Sequence, residues 1–364
     1  MSNHFLARIA RVLALAAGLF LVLQPQRSLA NRGAASASVL TLAVEGELPP
    51  LAAATTWLNS PPLTTPGLRG KVVLVDFWTY SCINCLRTLP YVRAWADKYK
   101  DAGLVVIGVH APEFEFEQDI GNVRKATQDL HVDYPVAIDN DFALWHAFGN
   151  RFWPAFYFVD AQGRIRHHQF GEGGYADSER VIRQLLAEAG RPVAGPELVA
   201  PREQGIQAAP ASTPALSEET YLGAANAHGF ASPGGATLDR LRVYEAAPSL
   251  RINQWSLKGE WTVGRERAVA GHAGARIAYR FHARDLHLVL GPSADGKPVR
   301  FRVLVDGHAP LADHGADTDD QGRGVVEHQR LYQLVRQAAT DSKDRLFEIE
   351  FLDPGVQAYV FTFG

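Results

Sequence analysis

Two different hydrophobic rhythms divide this chain. In its first half, continuous apolar runs alternate with helical stripes. Val72-Val73-Leu74-Val75 is apolar throughout, as expected of a strand buried on both faces. Leu86, Leu89, Val92, Trp95 and Tyr99 then recur at helical spacing, and Leu104 to Val109 is a second buried run. A polar helix is expected over about 115–130, followed by strands at 134–138 and 155–159. Ala161-Gln162-Gly163 reads as a tight turn into a strand at 164–170. Ser178 is placed to cap a last helix whose buried stripe is Val181, Ile182, Leu185 and Leu186. Strands and helices in this order predict an α/β domain around a central sheet, at 51–190.

Residues 191–216 are rich in Pro, Ala and Gln, show no period, and read as a linker. Beyond them the rhythm becomes two. Ile277, Tyr279 and Phe281 alternate with Arg276, Arg280 and His282, and the same spacing of two recurs at Leu286, Leu288 and Leu290, at Phe301, Val303 and Val305, and at Phe347, Ile349 and Phe351. Short alternating segments separated by Gly, Pro and Asp turns predict an all-β sandwich, jelly-roll-like, at 217–364.

Composition narrows the function. Net charge is −3 and no basic run stands out, which argues against a nucleic-acid partner. The chain has 2 cysteines, Cys82 and Cys85, so neither a disulfide-stapled fold nor a four-cysteine zinc site is available. At the N-terminus, Arg8 and Arg11 precede an apolar run from Val12 to Leu23, and Ser28-Leu29-Ala30 offers small residues to a signal peptidase. Residues 1–30 are therefore expected to be an export signal cleaved near Ala30, with an uncleaved anchor as the alternative. Residues 31–50 read as a flexible lead-in. Both alternatives put the rest in the periplasm or otherwise outside the cytoplasm, where a reduced cysteine pair needs an electron donor.

Cys82-Ile83-Asn84-Cys85 lies between the run ending at Phe77 and the first helical stripe. Residues three apart share a helix face and are within disulfide reach. The unpaired N–H groups of the helix end favour a thiolate on the first of them. Cys82 is the expected nucleophile and Cys85 the buried resolving thiol. Asp76, or alternatively Glu113, is placed to take the proton from Cys85.

Val75-Asp76-Phe77-Trp78 ahead of the pair, Pro90 after it and Trp153-Pro154-Ala155 before a late strand resemble thioredoxin. That resemblance implies a thioredoxin-like fold with a mixed sheet flanked by helices, a cis Pro154 beside the cysteines, and substrate contacts from Trp78, Trp153 and Pro154. It implies no bound cofactor. The segment 112–116 is similar to the secreted TlpA-like branch. Through Trp78-Thr79-Tyr80-Ser81-Cys82-Ile83-Asn84-Cys85, Glu219-Thr220-Tyr221-Leu222-Gly223 and Arg330-Leu331-Tyr332-Gln333-Leu334, nearly all of the mature chain resembles the extracytoplasmic part of DipZ-type proteins, in which such a domain precedes a sandwich like a carbohydrate-binding module. Implied partners are protein disulfides, a membrane donor of the DipZ/CcdA kind and a glycan.

Other readings compete. Thr79 and Cys82 fit part of a peroxidatic motif, although Val75 stands where that motif has proline. The Cys pair with His110 or His167-His168 offers donors for a metal, but such histidines are more often exposed strand or turn residues, and no metal is expected. Asp317 to Gly322 begins like a calcium loop, yet His328 occupies the place of the bidentate acid. A glycan-binding protein would need exposed rings, for which Trp255 and Trp261 are candidates, or the face carrying Arg330 and Tyr332.

Overall fold

The computed structural model describes residues 41–212, 215–337 and 343–364. The apolar run 12–23 and the cleavage site near Ala30 lie outside them. Among the described residues no helix is long and apolar enough to cross a membrane.

The first half contains β1 (Gly46–Glu47), β2 (Thr56–Leu58), β3 (Val72–Trp78), α1 (Ile83–Tyr99), β4 (Leu104–His110), α2 (Ile120–Asp129), β5 (Val136–Ile138), α3 (Ala143–Ala147), β6 (Ala155–Val159), β7 (Arg164–Phe170) and α4 (Tyr175–Glu188). Its sheet runs β1-β7-β6-β3-β4-β5-β2. The centre, β3 with β4, is parallel, whereas β6 is antiparallel to β3. Every residue of β3 is buried, because one face packs on α1 and α4 and the other on a second cluster around Phe77, Trp145 and Tyr157. This is the α/β arrangement that the apolar runs predict, with the mixed sheet that the resemblance to thioredoxin implies.

Three local expectations change. The helix foreseen over 115–130 breaks at Asp119, whose carboxylate accepts the Gly121 and Asn122 N–H groups and so starts α2 there. A short 3-10 turn at Glu115–Gln118 precedes it. Ser178 does not cap α4; the helix starts one turn earlier, after Gly174 at φ +64°, and Ser178 is buried within it. The described end of the lead-in is also held: β1 pairs with β7, and Arg166 donates to the Leu42 carbonyl at 2.8 Å.

The second half contains β8 (Thr220–Tyr221), β9 (Leu241–Tyr244), β10 (Trp255–Val263), β11 (Ala268–Ala270), β12 (Ala275–Phe281), β13 (Asp285–Gly291), β14 (Val299–Val305), β15 (Arg323–Val326), β16 (Arg330–Arg336), β17 (Arg345–Phe351) and β18 (Gln357–Phe363). Their hydrogen bonds run β15-β14-β17-β12-β10-β11-β18-β13-β16, with β8 on β18 and β9 on β10. The sheet curls round a core in which Trp255 and Trp261 are fully buried. Neither tryptophan is therefore free to stack on a sugar. Tyr332 is likewise inside this core, with the Arg330 guanidinium stacked 3.8 Å from its ring centre. The acidic loop is satisfied internally, Asp317 by Arg330 at 2.7 Å and Asp319 by Arg323 at 2.9 Å, and no metal-ligating cluster occurs among the described residues.

β12 alternates between buried and half-buried positions, whereas β13 is buried along its whole length. The cause is a second covered face. Val289, Leu331, Tyr359 and Val360 leave the sandwich core and join the cluster that contains α1 and Phe116. Burying each of these side chains contributes about 1.5–3 kcal/mol. The segment 191–212 straps the junction: Val193, Val199 and Ile206 pack on the same cluster, and Arg93 donates to Gln207 at 3.1 Å. The absence of a period in that segment reflects its irregular path rather than a lack of contacts.

Candidate active site

β3 delivers its chain into Thr79-Tyr80-Ser81, and Cys82 occupies the position just before the first turn of α1. Cys82 Sγ accepts the Cys85 N–H at 3.2 Å, in place of the hydroxyl or carboxylate that usually caps a helix. Both cysteines are free thiols; Cys82 is partly exposed and Cys85 is fully buried. Burial pushes the Cys85 thiol up, and the neighbouring Cys82 and Asp76 push in the same direction. Pro90 lies inside α1, which continues through it to Tyr99.

Asp76 is wholly buried, and neither carboxylate oxygen has a hydrogen-bond partner. Desolvation raises its pKa from 3.8 to about 8. In the sheet register Asp76 faces Gly108 on one side and Phe156 on the other. Gly108 is required there, since a Cβ would come within 2.8 Å of Trp78 Nε1 and 3.1 Å of the Tyr134 ring.

Trp78 departs from expectation. It is completely buried with its Nε1 unpartnered, so it packs beneath the pair and offers no surface to a substrate. Its place in the strand alternation sends it inward with Asp76. Trp153 is partly exposed, its Nε1 donates to the Ala111 carbonyl at 3.1 Å, and the Trp153–Pro154 bond is cis. Neither the backbone N–H nor the carbonyl of Trp153 bonds to another described residue.

Glu113 sits on the loop after β4, partly buried, and accepts a hydrogen bond from Tyr221 of the sandwich. Its pKa is raised to about 8, chiefly by desolvation and then by Glu219 and Glu117. Nothing in the sequence pointed to Glu117, yet it organises the site. It is fully buried and bridges two loops: Oε1 accepts from the Ser81 hydroxyl at 2.6 Å and its N–H at 3.3 Å, while Oε2 accepts from the Glu113 N–H at 2.6 Å. The residue preceding Cys82 is thus tied to the loop that carries Glu113. Thr79 Oγ1 meets His110 Nε2 at 3.4 Å, and burial lowers the His110 pKa to about 3, so it stays neutral. His110 is stacked against Tyr80 rather than turned toward the cysteines as a metal ligand.

Arg87 was also missed. One turn into α1 and buried, it reaches Asp285 of β13 at 3.4 Å and Glu172, just past β7, at 3.6 Å. Asp285 is held further by Arg284 at 2.7 Å and Arg336 at 2.8 Å, which keep its carboxyl below the usual range despite burial. The helix that carries the cysteines is therefore clamped to the sandwich by a buried charge cluster.

Two families and several known proteins are similar to this chain in sequence. Residues 44–184 match the Redoxin family, and residues 217–364 match the family described as a thioredoxin-like C-terminal domain. Protein DipZ of Mycobacterium tuberculosis is 43% identical over 269 residues, 71% of this chain and 38% of DipZ. The chain thus spans well under half the length of that relative. The thiol-disulfide oxidoreductase YkuV of Bacillus subtilis is 34% identical over 141 residues, which cover 39% of this chain and 95% of YkuV. A thioredoxin-like protein solved in its oxidised form is 35% identical and covers 39% of this chain and 96% of its own, with a TM-score of 0.37.

Proposed function

Because the chain belongs to the thioredoxin superfamily of thiol-disulfide oxidoreductases, we propose that it is an exported reductant of polypeptide disulfides. The observation that carries this reading is the pairing of a partly exposed Cys82, at a helix N-terminus with an N–H aimed at its sulfur, with a buried Cys85 three residues on. The first arrangement presents a nucleophilic sulfur to a substrate, and the second holds the resolving thiol out of reach of solvent oxidants.

In the proposed cycle Cys82 attacks one sulfur of a substrate disulfide, and the other sulfur leaves as a thiolate and takes a proton. Cys85 then gives its proton to the Asp76 carboxylate and attacks Cys82 Sγ, releasing the substrate as a dithiol. Two electrons pass to the substrate, and the Cys82–Cys85 disulfide remains. With a pKa of about 8, Asp76 is close enough to neutrality to accept a proton and later return it. Glu113 is the second acid of the site. The free backbone of Trp153 can pair with an extended substrate chain beside Pro154. No bound cofactor enters the cycle. Reduction of the enzyme falls to a membrane dithiol donor of the DipZ/CcdA kind. Export is supported by Arg8, Arg11, the apolar run to Leu23 and the small residues at Ser28 and Ala30.

The test is a trap. Cys85→Ser should accumulate mixed disulfides with substrate proteins in cells, and Cys82→Ser should form none; a Cys85→Ser strain without adducts counts against the whole cycle. For direction, the pair equilibrated with glutathione should be more reducing than glutathione itself.

A further inference from the structure

Beside Trp153 the sandwich and the thioredoxin-like half together enclose a cleft of about 330 Å³. One wall is Glu113, Phe114 and Trp153; the other is Tyr221, the buried Gly223, the exposed Ala225 and Asn226, and Arg265-Glu266. The carboxylates here are already occupied. Glu113 accepts from Tyr221, and Glu266 accepts the Glu115 N–H at 3.3 Å. The donors are not: the Arg265 guanidinium is exposed and neither it nor the Asn226 amide bonds to another described residue. Because Glu113 ionises only near pH 8, it adds little negative charge to the cleft at neutrality.

A cleft adjoining an unpaired backbone at Trp153 is placed to take a side chain of any strand that pairs there. Alternate side chains of an extended strand point to one side, so the residues of such a strand next to the reacting cystine would face the sandwich loop. Open donors with no acceptor of their own select an acceptor.

We propose that this cleft is a substrate subsite in which Arg265 and Asn226 receive an Asp or Glu side chain flanking the disulfide that Cys82 attacks. The sandwich is then a specificity wall of the active site. The proposal rests on the exchange reading above, and its chemistry is the same: protein dithiol and peptide disulfide become protein disulfide and peptide dithiol.

The test follows oxidation of the full-length reduced protein by three cyclic peptide disulfides that differ only in a Glu, Gln or Lys beside one cysteine. Each rate is divided by the same variant's rate with bis(2-hydroxyethyl) disulfide, which is uncharged and too small to span the cleft. Wild type should prefer Glu over Lys by about fivefold at low salt, the size that an exposed ion pair allows, and the preference should shrink as salt screens it. Arg265→Glu should reverse the order. Ala225→Trp, at an exposed loop position, should fill the cleft and slow all three peptides. Equal rates for the three peptides in wild type, or a Glu preference that survives Arg265→Glu, would overturn the subsite while leaving the exchange reading intact. Failure to react with bis(2-hydroxyethyl) disulfide would remove the exchange reading, and the subsite with it.

Discussion

Asp76→Asn should make the protein more stable, and by an amount that depends on pH. Asp76 is fully buried with both oxygens unpartnered, and its pKa is raised from 3.8 to about 8 by desolvation alone. In the unfolded chain the same carboxyl ionises at its ordinary value. For a folded-state pKa above the unfolded one, stability is fully present below the lower value and is lost as pH rises through the window to the higher. Each unit in that window costs about 1.4 kcal/mol. A window of roughly four units gives a penalty that grows from nothing near pH 4 to about 5–6 kcal/mol above pH 8. Asparagine has the same shape and does not titrate, so the penalty is absent from the variant. Urea unfolding of both proteins under reductant, at pH 4.5, 6, 7.5 and 9, measures the difference directly; ionisation of the cysteines is common to both to first order. The difference should be small at pH 4.5, climb steeply to pH 7.5 and level off. A difference that stays flat between pH 5 and pH 8 would show that Asp76 does not titrate as a desolvated acid, and its role as proton acceptor for Cys85 would fall. If that role holds, the variant should gain stability and lose exchange rate together.

At the charge cluster, Arg87→Met should cost about 1–3 kcal/mol, because Asp285 keeps Arg284 and Arg336 and the loss falls on the part-buried Glu172, whose cationic partner is Arg87. Asp285→Asn, by contrast, should cost about 3–5 kcal/mol in a denaturant titration, since three guanidinium groups lose their counter-charge. Tyr221→Phe removes a hydrogen bond that lowers the Glu113 pKa, so a carboxyl titration followed by infrared or NMR should find Glu113 above its wild-type value of about 8. Trp255→Ala should cost about 3–5 kcal/mol, as for a filled core position with 1% exposure, and retention of full stability would reopen its reading as a surface platform.

The parts of this protein that were legible in its sequence depend on neighbours within a few residues. The apolar run of β3 demands cover on both faces, the stripe from Leu86 to Tyr99 demands a helix, and two cysteines three apart at that junction must share one face of it. Strict alternation likewise specified the strands of the sandwich, because a one-residue slip would turn every buried ring outward. Trp78 shows where such reasoning stops: alternation puts its ring on the same face as Asp76, but only packing over Gly108 decided that the ring is wholly covered and closed to a substrate. The remaining determinants join residues far apart in the chain. Ser81 meets Glu117 across 36 positions, Tyr221 meets Glu113 across 108, and Arg87 meets Asp285 across 198. Each pair is a polar group that had to find a partner once buried, and the choice among many chemically equivalent residues was made by the path of the backbone. Local pattern therefore determined the redox pair and its helix, whereas the fold decided which acids surround the pair and that a second sheet packs against the helix carrying it.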